Sequence, residues 1–187
     1  YPFHISVVYT CPVQTGPANP LYAQPTGYSA TMWGIPYDNL DGWRGPYPPE
    51  VFAAQFEKLA TGWRAGVEAL QQAAQQAPEA TRTGADADVR FAAASGMHFQ
   101  SVANQARFVI ARDALAAATE ESERSRLRSE LSRLLNAELA LAKELYTLAK
   151  QDPPLGFEPS CHYFYFPQDL VEKVINCRWL LAHYQAQ

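Results

Sequence analysis

Leu127, Leu131 and Leu134 recur at helical spacing, and position 138, the next of that stripe, holds a glutamate before Leu141 and Leu145 resume it. A carboxylate among apolar side chains is costly unless it is paired. The preceding helical stretch offers Asn104, Arg107 and Arg112 as partners. Two outcomes stay open: the stripe drifts and leaves Glu138 at its wet edge, or Glu138 joins a buried Glu–Arg network able to face a ligand.

A second constellation interleaves Trp33, Tyr37, Trp43 and Tyr47 with Asp38, Asn39, Asp41 and Arg44. Aromatic faces stack on the C–H faces of sugar rings, and carboxylates and guanidinium groups bind hydroxyls in pairs. A carbohydrate cleft needs that mixture. So does an arm lacking regular structure, which anchors itself by burying large rings. A third cluster, Gly156 to Tyr165, packs Phe157, Tyr163, Phe164 and Tyr165 around Glu158 and His162. It reads as a plug for one end of a helix bundle or as a ligand-facing wall, where His162 with Glu158 could move protons. No Ser–His–Asp order, phosphate loop, dinucleotide fingerprint or HExxH accompanies these groups.

The elements that must position these residues divide near Pro49. Residues 1–50 carry nine of the 14 prolines, five of the ten glycines and nine aromatics, with four charged residues. Such a segment is no helix. We expect an extended, aromatic-rich arm over residues 1–48, with Ile5–Tyr9 as one short strand. Residues 49–187 read as an α-helical bundle of about four helices, so the fold class is mainly α. Phe52, Phe56, Leu59, Trp63, Val67 and Leu70 mark the first helix, from Pro49 to before Pro78. The polar stretch Thr81 to Asp88 breaks the pattern, and Asp86 or Asp88 caps a second helix to about Ala118 with Phe91, Phe99, Val102 and Val109 inward. Gly96 within it implies close packing or a short break. A third helix spans about Glu120 to Lys150, ended by Asp152-Pro153-Pro154. A fourth spans about Gln168 to Tyr184 with Leu170, Val171, Val174, Ile175, Leu180 and Leu181 inward.

The 15 Lys and Arg against 19 Asp and Glu give a net charge of −4, which disfavours a nucleic-acid surface. No apolar run is long enough for a membrane span. Cys11, Cys161 and Cys177 match no zinc spacing, so neither metal nor cofactor is expected, and buried free thiols are the favoured state of the three. The start at Tyr1-Pro2-Phe3-His4 reads as a boundary inside a larger protein.

Four phrases carry a resemblance: Gly16-Pro17-Ala18-Asn19-Pro20-Leu21, Ala30-Thr31-Met32-Trp33-Gly34-Ile35-Pro36-Tyr37-Asp38, Trp43-Arg44-Gly45-Pro46-Tyr47-Pro48-Pro49-Glu50, and Gly156-Phe157-Glu158 leading to His162-Tyr163-Phe164-Tyr165. Together they resemble the C-terminal region of large bacterial proteins grouped with glycoside hydrolases, in which a (β/α)-barrel precedes a helical region. The resemblance implies an upstream domain as partner and catalytic acids on that barrel, so the chain alone is not expected to be catalytic. Eight strand–helix units cannot fit here. The expected function is completing or supporting a sugar-binding cleft, with Trp33, Tyr37, Asp38, Trp43, Arg44, Arg107, Glu138, His162 and Tyr163 as candidate ligand-binding residues. The competing reading is a helical interaction scaffold without ligand chemistry. A standalone enzyme using Glu138, Arg107 and His162 ranks last.

Overall fold

The computed structural model describes residues 16–27, 38–155 and 165–186, the Trp43 side chain excepted. Five helices lie among the described residues: α1 (Leu40–Trp43), α2 (Pro49–Gln75), α3 (Glu79–Ala117), α4 (Glu121–Gln151) and α5 (Pro167–Gln185). The strand expected at Ile5–Tyr9 lies outside them, as do Trp33, Tyr37, His162, Tyr163, Cys11 and Cys161.

The four long helices pack in chain order, each against the next. Three-residue joints at 76–78 and 118–120 force neighbours to run antiparallel. Cross-helix pairs agree with this. Glu57 meets Arg107 while Trp63 meets Phe99, and Ser101 meets Glu138 while Arg90 meets Asp152.

The largest buried cluster joins α3, α4 and α5 through Phe108, Leu131, Leu134, Leu135, Cys177 and Leu180. At about 2 kcal/mol for each large apolar side chain removed from water, this leucine face is what holds α4 in place. A second cluster centres on Met97, Ala142, Leu145, Tyr165 and Leu170. A third fixes α1 and the start of α2 on α3 through Leu40, Phe52, Ala53, Val102 and Val109. Leu21 and Ala18 from the arm complete the first and second clusters. These two arm residues are therefore part of the core.

Three expectations need correction. The stretch Thr81 to Asp88 is helical throughout, and α3 starts at Glu79 behind Pro78, not at Asp86 or Asp88. Arg82 explains why the joint is so tight: its guanidinium donates to the carbonyls of Gln75 and Ala77 at 3.1 and 2.7 Å, satisfying the end of α2. Leu59 and Phe91 are 41% and 45% exposed and so lie outside the core. Between residues 61 and 93 only Ala74 is buried. On α5, Val171 and Ile175 point outward, and Lys173 takes the interior place beside Leu170 and Cys177. Gly96 marks close packing inside an unbroken helix, since a Cβ there would lie 3.0 Å from Trp63 Cδ1. Cys177 is a free, buried thiol whose pKa burial pushes up to about 11.

Candidate functional site

Glu138 occupies the leucine stripe of α4 and is fully buried. Its Oε2 accepts from Ser101 Oγ at 2.8 Å, and its Oε1 from Asn104 Nδ2 at 2.9 Å. The counter-charge is Lys173 of α5, with Nζ 2.9 Å from Oε2 and both side chains wholly buried. Asn104 is thus a partner, as expected, but Arg107 and Arg112 are not. Arg107 faces the other way, toward α2, where it pairs with Glu50 and chelates Glu57 at 2.8 and 3.0 Å. That fork holds the Glu57 carboxyl below the usual range. Sequence reasoning missed Lys173 because lysine at an inward position looks like an error until its acid is known.

Beside this network, His98 is buried with Nδ1 2.8 Å from the Tyr165 hydroxyl. Burial lowers the His98 pKa to about 4 and raises that of Tyr165. Gly16 lies against the ring so closely that a Cβ would sit 2.5 Å from Nδ1.

A cleft of about 590 Å³ opens where the arm, α1 and the start of α2 meet α3. Such a volume is in the range of small-ligand sites. Its carboxylates are Asp38, Asp41, Glu50 and Asp113, and its floor includes Arg112. Asp38 is buried and anchors the arm, accepting from Thr26 N–H at 2.6 Å and Thr26 Oγ at 2.9 Å. Arg112, also buried, lies 3.5 Å from Asp38 and donates to Asp113 at 2.8 Å. Thr26 is the tighter partner of Asp38, and Asp113 that of Arg112. At the rim, Arg44 pairs with Asp41 at 2.7 Å, and Arg107 pairs with Glu50.

Each carboxylate lining the cleft therefore faces a guanidinium. Arg112 serves both Asp38 and Asp113, and Arg107 both Glu50 and Glu57, so the four carboxylates outnumber the three guanidinium groups and leave acceptor oxygens for hydroxyl donors. Among the described residues no group of three or more His, Cys, Asp or Glu could hold a metal ion. None of the described helices is long and apolar enough to cross a membrane.

Of the expected binding residues, the structure brings Asp38 into the cleft and sets Arg44 and Arg107 behind its rim. Glu138 belongs to the separate interior network. Asp113 and Arg112 are lining residues that the aromatic pattern did not point to. Comparisons with protein-family models, with characterised proteins and with solved structures return no match.

Proposed function

We propose that this chain is a helical module of a carbohydrate-active protein, and that its carboxylate-lined cleft binds a neutral, hydroxyl-rich ligand. The observation that carries the reading is the pairing of Asp38, Asp41, Glu50 and Asp113 with Arg112, Arg44 and Arg107 around one cleft. Carboxylates held in place by guanidinium groups keep spare acceptors for vicinal hydroxyls. The resemblance in the four phrases above supplies the ligand class, and catalytic acids are placed by it on another domain.

Titration with neutral mono- and oligosaccharides, followed by tryptophan fluorescence, tests this. Saturable binding at millimolar sugar that is lost in Asp113→Asn supports it. A flat titration with a folded protein overturns it. The competing reading, a helical interaction scaffold, is favoured by one observation: Val171, Ile175 and Trp179 form an outward apolar row on α5, at 47%, 62% and 58% exposure. A flat titration with concentration-dependent association lost in Ile175→Glu would decide for that reading.

A further inference from the structure

Residues 16–22 of the arm are held by groups that any residue could supply. Gln105 Nε2 donates to Gly16 O at 2.9 Å, and Lys173 Nζ donates to Asn19 O at 2.5 Å. Asn176 accepts from Leu21 N–H at 2.8 Å and donates to Leu21 O at 2.9 Å. Arg112 donates to Tyr22 O at 3.3 Å. These bonds join residues 89 to 155 apart in sequence, so none is a local turn. A carboxamide sets an acceptor oxygen beside an N–H donor, as the groups of a peptide backbone do, so Asn176 reads Leu21 the way a neighbouring strand would.

Three of the four gripping side chains are already set by the helices. Gln105 also donates to Ser101 Oγ at 2.9 Å, Lys173 pairs with Glu138, and Arg112 pairs with Asp113. Their geometry does not wait for the arm, and a preorganised site binds with a smaller loss of freedom. Arm side chains contribute at few points. Gly16 is demanded by the His98 ring, and Ala18 and Leu21 are buried in separate clusters. Pro20 between them has no N–H and so leaves no donor stranded. Residues 24–27 are exposed, so the chain has left the groove by then.

We infer that the face shared by α3 and α5 is a recognition site for a polypeptide segment that opens with a turn, here closed by Asn19 N–H donating to Gly16 O at 3.0 Å, and runs on past an aliphatic residue. It reads the main chain directly and selects glycine, a small residue and an aliphatic residue at positions 1, 3 and 6 of the segment. Residues 16–22 occupy it as a ligand, held without need of the covalent link to α1. The site adjoins the cleft through Arg112, but the inference does not rest on the ligand proposed for that cleft.

A specific protease site inserted after Gly27 of the full chain allows the arm to be cut free once the protein has folded. The cut fragment is expected to co-elute with the helices in gel filtration. A labelled synthetic peptide of residues 16–27 is expected to exchange into the complex. Asn176→Asp keeps the size and the acceptor but loses the donor to Leu21 O, and should weaken peptide uptake about tenfold. A Leu21→Ala peptide should compete about thirtyfold less well. Release of the fragment on cutting, or loss of helical circular dichroism with it, would overturn the inference. So would retention with uptake indifferent to both substitutions.

Discussion

Two ion pairs among the described residues are buried on both sides, and they keep different company. Glu138 and Lys173 are wholly enclosed, 2.9 Å apart, with Ser101, Asn104 and the Asn19 carbonyl filling the remaining hydrogen-bond positions. Asp38 and Arg112 are nearly as buried but stand 3.5 Å apart, each more closely bonded to a third residue, and both border an open cleft. The first pair is closed on itself and on the arm. The second is divided, and its divided state is what leaves polar groups directed outward. Burial alone therefore does not mark a functional charge in this fold; what matters is whether its bonding capacity is used up inside.

Removing one partner of the enclosed pair should have the largest effect. Lys173→Met leaves Glu138 buried without a counter-charge and should cost about 3–5 kcal/mol in urea denaturation. Combining it with Glu138→Gln removes both charges, keeps an acceptor for Ser101 and Asn104, and should restore most of the loss. A single-variant cost under about 1 kcal/mol would show that the pair is not enclosed.

His98, one helical turn before Ser101, probes the same interior through pH. Its folded pKa of about 4 lies below the usual 6.5. Above pH 6.5 the ring is neutral in both states and costs nothing. As pH falls from 6.5 to 4 the unfolded chain takes up a proton that the native ring refuses, so stability drops, by about 3 kcal/mol in all. The difference between the parent and His98→Gln, measured across that window, isolates this slope from the carboxylates. Equal slopes would place His98 in contact with water.

The divided pair should respond more gently. Asp38→Asn weakens the bonds from Thr26 and should cost about 1–2 kcal/mol, because Arg112 keeps Asp113. Its larger effect should be on ligand binding in the cleft. A loss as large as that of Lys173→Met would erase the distinction between the two pairs. The smallest effect belongs to the outer face of α4, where Arg133 and Glu130 pair at 2.6 Å in contact with solvent. Arg133→Ala should leave the urea midpoint unchanged within error.

Much of the helical plan was legible in the sequence, since leucine periodicity and proline stops are local signals. The bounds of α2, α4 and α5 follow from Pro49, from Asp152-Pro153-Pro154 and from Pro167. The start of α3 was hidden because Arg82 caps the previous helix from inside a polar stretch that looks like a loop. The α5 face was misjudged for a related reason: hydrophobicity favours Val171 and Ile175 inward, yet the buried Glu138 requires Lys173 there. Glu138 itself was visible as a break in a pattern, and Asn104 as its neighbour. The cleft was only half legible, because Arg112 and Asp113 join Asp38 through tertiary packing of segments 74 residues apart.

The long hairpin of α2 and α3 has one more consequence. A 39-residue helix extends roughly 58 Å, and its first third leans mainly on α2, with Arg90 reaching Asp152 just past the end of α4. Trp63, whose indole N–H bonds to Ala92 O at 2.7 Å, stands near the boundary between the sheltered and unsheltered parts. Amide hydrogens beyond it toward the 76–78 joint should exchange with deuterium through local opening, long before those around Val102 and Leu131, whose release requires the whole bundle to unfold.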